Sequence, residues 1–297
     1  MRLTHNRAVF LMVVVTLLWS TAGVVVRHLE AARSFEVTFW RSFFTVLSLL
    51  LILPMLQGRD VFRRMRGGGL TLWISGLCWC GMFTFFMVAI TLTSVANVLV
   101  TMSIGPLLTA LAARLFIGHR INTRTWAAIV VAGCGIGYMY GSQVTQGVSW
   151  VGTLVALCVP IAGAANWTVT QHAHAQGRNI DLMPAVLIGA VFSSLLTLPL
   201  AYPFQASAHD LVLLAGLGVV QLAIPCALVV LCARVLMAPE VALLGLLEVI
   251  FGIFLAWVGA NEVPQSNVLV GGALVIGALA VNELIGWRSR GTGTNSA

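Results

Sequence analysis

Residues 240–258 read EVALLGLLEVIFGIFLAWV, an apolar run whose interior carries one charged residue, Glu248. A helix needs about 20 apolar residues to cross a bilayer, so the run predicts a membrane-spanning helix. At about 1.5 Å per residue, Glu248 lies about 13 Å along the helix from Pro239, near the middle of the hydrocarbon layer. A carboxylate at that depth costs about 3 kcal/mol, so it must face a wet cavity, be protonated or pair with a donor.

Similar runs recur along the whole chain and predict an all-α integral membrane protein of about ten transmembrane helices. The predicted spans are residues 8–26, 36–56, 70–92, 95–116, 125–141, 149–170, 183–202, 211–232, 240–258 and 268–287.

The composition supports a fold whose main solvent is lipid. Hydrophobic residues make up 59% of the 297 residues and charged residues 8%, and the mean hydropathy is +0.99. Such a chain cannot place these side chains in one soluble core under a wetted surface. Its length leaves no room for a sizeable soluble domain beside the helices.

The basic and sulfur-containing residues exclude several functions. All 16 basic residues are arginine, and the net charge of +7 lies mostly in short loops, which indicates membrane topology rather than nucleic-acid binding. Without lysine the chain has no GxxxxGK[ST] phosphate loop and no Schiff-base site, so we expect no ATP drive by this chain, no ATPase subunit and no cofactor. The six cysteines lack metal-ligand spacing, and HExxH and GxSxG motifs are absent, so neither a metal site nor an enzyme is expected.

The distribution of arginines predicts that both termini are cytoplasmic. This orientation places thirteen arginines inside and leaves Arg27, Arg33 and Arg41 outside, in agreement with the positive-inside rule. The expected location is the bacterial inner membrane. For Arg41 the sequence leaves two roles open, a snorkelling anchor or a guide for an anionic group.

The chain also has the pattern of a duplication. We predict a first five-helix repeat over residues 1–145 and an inverted second five-helix repeat with a short cytoplasmic tail over residues 146–297. Trp19-Ser20 recurs as Trp167-Thr168, and Pro106 stands as far before His119 as Val249 does before Glu262. Because each half has an odd number of helices, the two halves must enter the membrane with opposite polarity.

These residues resemble the EamA branch of the drug/metabolite transporter superfamily. Trp19-Ser20, Arg41 and Pro106 match its motifs, whereas Leu247-Glu248-Val249 has valine in place of the family's proline and His119 replaces a common glutamate. The resemblance implies two inverted five-helix repeats, a central cavity and alternating access. It also implies export of small metabolites, with greatest similarity to bacterial exporters of amino acids, including aromatic ones.

The predicted substrate-binding residues share a position at membrane depth. Glu248 could bind a substrate ammonium or exchange a proton, and its alternative role is a neutral interhelical hydrogen bond. Aromatic side chains could stack on a solute or fill space, and polar ones could bind it or join helices. The candidates are Trp19, Ser20, Trp79, Phe83, Asn97, Thr101, Asn166, Trp167, Thr170, Gln221 and Glu248.

Several further residues are predicted to shape the helices. Pro106, Pro160 and Pro225 should kink their spans, for gating or for static shape. Gly133, Gly137 and Gly141 recur on one face of the fifth span, which predicts close packing against another helix.

The leading function is a secondary transporter of small metabolites, most of all amino acids, with the bilayer and a small-molecule substrate as its partners. An uncoupled facilitative carrier or a channel for nucleosides, sugars or organic cations is the alternative. The sequence leaves monomer and homodimer open.

Overall fold

A computed structural model describes the chain over residues 3–32, 34–118, 122–144, 150–176, 183–232, 235–236 and 238–291. The predicted repeat boundary at residue 145 and His119 both lie outside these ranges. Within them the regular structure is entirely helical. The helices are α1 (His5–Val26), α2 (Ser34–Gln57), α3 (Val61–Arg66), α4 (Gly69–Leu92), α5 (Val95–Ser103), α6 (Gly105–Ile117), α7 (Thr123–Val144), α8 (Trp150–Ala175), α9 (Met183–Ala201), α10 (Ala208–Gly216), the π segment (Leu217–Ala223), α11 (Ile224–Cys232), α12 (Ala238–Gly245), α13 (Leu247–Ala260) and α14 (Ser266–Gly291).

Nine spans in the described parts of the chain are long and apolar enough to cross a membrane. Helices α5 and α6 together form one of them, Val95–Phe116, and α10, the π segment and α11 contribute another, Ala208–Val229. The predicted fifth span is a helix, α7, but it is less apolar than the nine and includes Arg124 and several glycines. Its 22 residues reach about 33 Å. The total of ten transmembrane helices therefore stays a prediction.

The helices pack in groups around the middle of the bundle. Helix α4 packs against α2, α8 and α9, and α2 also packs against α9. Helix α1 packs against α13 and α11, and α14 packs against α7. A core of buried apolar side chains that includes Val37, Met87, Ile90 and Val95 fills the space between them. Large apolar residues such as Leu51 and Phe116 are exposed on the outside, as expected for a surface that faces lipid.

The prediction that Gly133 and Gly137 pack against another helix is wrong, because a different face of α7 is packed. A Cβ atom added at Gly133 or Gly137 would meet nothing within 4 Å, so this face of α7 is open in the described structure. Gly135 makes the close approach instead, because a Cβ there would lie 2.8 Å from the backbone oxygen of Gly271 on α14. The spacing of glycines identified a small-residue helix, but it could not identify the face that is packed.

Two spans are broken at matching places. One breaks at Ile104, between α5 and α6, and the other at Leu246, between α12 and α13. Helix α6 ends at Gly118 with φ of 74°, and α13 ends at Asn261 with φ of 53°, so both end in a left-handed residue. These residues directly precede His119 and Glu262, the pair that the sequence echo aligned.

One end of the bundle is held together by three carboxylates, Glu36, Asp210 and Glu262, and we refer to it as the carboxylate-capped end. Asp210 is fully buried and accepts hydrogen bonds from the backbone amides of Glu30, Ala31 and Ala32 at 2.8–3.0 Å. It also forms a capping box with Ser207 at the start of α10. Glu36, also buried, accepts hydrogen bonds from the amides of residues 205 and 206.

Glu262 connects four segments at the same end. Its Oε2 atom lies 2.6 Å from Nε of Arg27, and its Oε1 atom accepts a hydrogen bond of 2.7 Å from the amide of Val95, the first residue of α5. The other guanidinium nitrogens of Arg27 donate to the carbonyls of Ile90 and Thr93 at 2.8 Å. A carboxylate at a helix N-terminus also interacts favourably with the helix dipole.

Candidate functional site

A cavity of about 170 Å³ lies inside the bundle between α1, α2, α4, α5, α8, the π segment, α11 and α13. Most of its wall is apolar and aromatic, with three polar or charged side chains among the lining residues. The lining residues are Trp19, Arg41, Trp79, Met82, Phe83, Phe86, Met102, Val159, Gln221, Leu222, Cys226 and Glu248. A mostly apolar cavity with a few convergent polar groups is the usual form of a small-molecule site.

Arg41 is the most unusual side chain in this wall. It is 2% exposed, so it does not snorkel to the membrane surface, and the anchor role considered for it is wrong. Its Nε atom donates a hydrogen bond of 3.1 Å to Oε1 of Gln221, and its Cζ atom lies 5.7 Å from the ring centroids of both Phe83 and Phe86. Its Nη1 atom is buried without a hydrogen-bond partner. The guanidinium is therefore fixed in position while part of its donor capacity is unused.

The π segment places Gln221 against Arg41. In a regular α-helix the ring of Pro225 would clash with the backbone carbonyl of Gln221, which stands four residues earlier. The helix instead forms wider π turns over Leu217–Ala223, just before Pro225. From there Gln221 accepts from Arg41 and donates through Nε2 to the carbonyl of Trp19 at 3.2 Å, so it joins α1, α2 and the π segment.

Glu248 reaches the cavity from the break in its span. It is the second residue of α13, which begins directly after Leu246, so its carboxylate lies in the first turn of a helix. Negative charge is favoured there by the helix dipole. Glu248 and Arg41 line the same cavity, but no nitrogen of Arg41 lies within 4 Å of the Glu248 carboxylate oxygens, since the ion pairs among the described side chains are elsewhere.

Three predicted aromatic residues, Trp19, Trp79 and Phe83, line the cavity. The rings of Trp79 and Phe83 are 5.4 Å apart and tilted by 44°. The indole nitrogen of Trp79 is buried and has no hydrogen-bond partner. For Trp79 the sequence favoured a packing role over substrate contact, whereas the structure places it in the cavity wall.

The predicted polar residues on α5 and α8 lie outside the cavity wall. Ser75 donates a hydrogen bond of 2.6 Å to Oδ1 of Asn166, which connects α4 to α8, and Nδ2 of Asn166 is buried without a partner. Thr170 donates to the carbonyl of Asn166, and Thr101 donates to the carbonyl of Asn97. These groups serve contacts within and between helices.

Trp167 and Ser20 are also placed away from the cavity. Trp167 is 48% exposed on the outer surface of α8. Ser20 is buried and donates to the carbonyl of Leu17 in its own helix. The sequence echo between Trp19 and Trp167 therefore does not bring both rings to the cavity, because the two helices turn different faces inward.

The three prolines differ in their structural effects. Pro106 lies in the first turn of α6, directly after the break at Ile104, and Pro225 follows the π segment. Pro160 lies inside α8, next to the cavity residue Val159. Each proline is thus near a span that contributes to the cavity, while a role in gating stays a prediction.

Sequence reasoning missed several cavity residues, and their shared feature is an ordinary apolar or sulfur-containing side chain. They are Met82, Phe86, Met102, Val159, Leu222 and Cys226. No local signal separates them from the many core residues of the same types. Within the described residues no group of three His, Cys, Asp or Glu side chains could hold a metal ion.

A match to a known family adds to this geometry. Residues 6–141 match the family model of the EamA-like transporter family. The matched region contains Trp19, Arg41, Trp79, Phe83 and three other lining residues of the cavity. The match supports the drug/metabolite transporter superfamily and, with the nine apolar spans, a multi-pass membrane protein.

The other comparisons concern curated sequences and solved structures. No curated protein matches the chain. A solved structure described only as "Crystal structure of protein" superposes with a TM-score of 0.65 at 18% identity and covers 95% of this chain and 98% of that chain. This similarity shows that both halves of the chain share one fold with a known structure. The EamA match is to a family of transporters, in agreement with a protein that is not an enzyme.

Proposed function

We propose that the protein is a secondary transporter that exports small metabolites, most of all amino acids including aromatic ones, by alternating access through the central cavity. The observation that carries the proposal is the wall of this cavity, where Glu248 stands among Trp19, Trp79 and Phe83 at membrane depth. An ionisable side chain in a transmembrane segment marks a substrate or ion pathway by default.

The chemistry of the wall fits an aromatic amino acid. The carboxylate of Glu248 can bind the substrate ammonium or exchange a proton, and the indole and phenyl rings can stack on a planar side chain. The two broken spans, at Ile104 and Leu246, support the inverted repeat, because transporters of this kind place their site at discontinuous helices. In this mechanism the protein works without an ATPase subunit, and both termini lie in the cytoplasm of a bacterial cell.

The test is counterflow of radiolabelled solutes in proteoliposomes that contain the purified protein. We expect exchange of L-phenylalanine and other amino acids that responds to an imposed proton gradient, and little exchange of nucleosides, sugars or organic cations. Glu248→Gln should reduce the exchange rate about 10- to 100-fold, the value of one charge-assisted hydrogen bond, and remove the response to the gradient. Unchanged exchange and unchanged pH response would show that Glu248 is not at the substrate site.

Two tryptophans provide a matched pair for the same assay. Trp79→Ala removes a ring from the cavity wall and should reduce exchange of aromatic amino acids by about tenfold, in line with the value of an aromatic contact. Trp167→Ala removes a ring from the outer surface and should change exchange by less than about twofold. Equal effects of the two substitutions would contradict the assignment of the cavity as the substrate site.

An uncoupled carrier or channel for another class of solute is the alternative. It would exchange nucleosides, sugars or cations in the same vesicles and would be indifferent to the proton gradient. Conductance without counterflow would identify a channel.

A further inference from the structure

We propose that Arg41 binds the carboxylate of the transported solute, so that the cavity selects substrates with a free carboxylate in addition to an ammonium group. The proposal rests on the proposed function and adds the residue that recognises the acidic end of the substrate. The proposal is based on the positions of two charged groups: the buried guanidinium of Arg41 and the carboxylate of Glu248 line the same cavity but form no ion pair with each other.

The hydrogen bonding of Arg41 is incomplete. A guanidinium has five N–H donors and no acceptor, and Nε alone donates to a described side chain, Gln221. Nη1 is shielded from solvent and has no partner. A buried donor without an acceptor destabilises the free protein. A hydrogen bond from Nη1 to an anionic ligand would remove this penalty and so favour binding.

The surroundings of Arg41 hold the guanidinium in one orientation. Gln221 fixes the Nε edge, and the rings of Phe83 and Phe86 lie 5.7 Å from Cζ, within the range of a cation–π interaction. Gln221 is itself held by its hydrogen bond to the carbonyl of Trp19. A planar fork with a fixed orientation suits a carboxylate, which it can bind through two parallel hydrogen bonds.

Glu248 explains why the ligand should carry both charges. It shares the cavity with Arg41 without forming an ion pair within 4 Å. A solute with only a carboxylate would leave Glu248 without a partner, and an amine would leave Arg41 without one. A zwitterion satisfies both, and isolated charges in a site of low dielectric are strongly unfavourable. The same wall offers aromatic rings for the side chain of the ligand.

A purely structural role for Arg41, as a tie between α2 and the π segment, would need only the hydrogen bond from Nε to Gln221. It would leave Nη1 unused and would predict no dependence of ligand binding on a carboxylate. The two roles are therefore separated by ligand chemistry rather than by protein stability.

The experiment measures dissociation constants of the purified full-length protein for three probes. They are L-phenylalanine, L-phenylalaninamide, which lacks the free carboxylate, and 3-phenylpropionate, which lacks the ammonium. We expect the wild type to bind phenylalanine about 10- to 100-fold more tightly than either analogue. Arg41→Gln should bind phenylalanine and phenylalaninamide equally, and Arg41→Lys should keep part of the preference because it keeps the charge but loses the fork.

Arg63→Gln is the matched control, since Arg63 is exposed on α3 and the substitution makes the same change of charge. It should keep the wild-type preference. Equal binding of phenylalanine and phenylalaninamide by the wild type, or a wild-type preference in Arg41→Gln, would overturn the inference and leave the proposed function in place. A wild type that binds none of the three probes would overturn both. If Arg41→Gln does not fold, Arg41→Lys answers the same question, because a full wild-type preference in that variant would also overturn the inference.

Discussion

The carboxylate-capped end and the central cavity use buried charge in opposite ways. At the capped end Asp210 accepts hydrogen bonds from several amides, and Glu262 is paired with Arg27 and the amide of Val95. In the cavity Glu248 has no ion pair and Nη1 of Arg41 has no partner, within the part of the chain that the structure describes. Charges that are fully satisfied within the protein stabilise the fold, whereas charges that lack partners are available to a ligand.

The largest effect on stability should come from Asp210→Ala. The substitution removes the acceptor for the amides of Glu30, Ala31 and Ala32 and breaks the capping box of α10. We expect the free energy of unfolding to fall by about 3 kcal/mol, because a lost cap and unsatisfied amides each contribute about 1 kcal/mol. Thermal unfolding in detergent, followed by tryptophan fluorescence, measures the change. An unfolding midpoint equal to that of the wild type would show that Asp210 does not stabilise the fold, contrary to the role given to the carboxylate-capped end.

Glu248→Gln should have a smaller effect of opposite sign. An unpaired carboxylate at membrane depth destabilises the folded state, and the neutral amide avoids this penalty. We expect the free energy of unfolding to stay the same or to rise by about 1 kcal/mol, in the same variant whose exchange rate falls. The same unfolding assay provides the check. A clear loss of stability would place Glu248 with the structural carboxylates instead.

Glu30→Ala should have the smallest effect on stability. It tests whether the capped end depends on the backbone amide of residue 30 or on the side chain of Glu30. Asp210 binds the backbone amide of residue 30, which the substitution keeps. The side chain of Glu30 is exposed and makes one weak contact of 3.4 Å with Ser207. We expect a change below about 0.5 kcal/mol, typical of surface substitutions. A loss as large as that of Asp210→Ala would mean that the side chain, and not the backbone of this loop, stabilises the capped end.

The fold was predictable from the sequence where local composition decides it. An apolar run of spanning length can exist stably only across a bilayer, so nine of the predicted spans coincide with helices that could cross one. The breaks also have local signals, Gly105-Pro106 in one span and Gly245 in the other. The extent of the π segment could not be predicted, because it depends on how the chain before Pro225 accommodates the ring as well as on the proline itself.

The candidate site was predictable only in part, because hydropathy indicates depth in the membrane but not the face that points inward. Glu248 and Gln221 were found because polar groups at membrane depth are rare. Trp167 shares a motif with Trp19, yet it faces outward. Arg41 lies close enough to the predicted end of its span that an anchor was a reasonable alternative, and only the packing of α2 against the π segment places it inside.

The π segment has a consequence for comparing this protein with its relatives. A π turn holds one residue more than an ordinary helical turn, so the side chains after it keep their faces. The same extra residue in a regular helix would rotate all later side chains by about 100° around the axis. In a relative without the π turns, this helix would need one residue fewer to place a side-chain amide like that of Gln221 against Arg41. An alignment without a gap in this helix would then put the wrong position opposite the guanidinium, and substrate preferences transferred from it would be assigned to the wrong side chain.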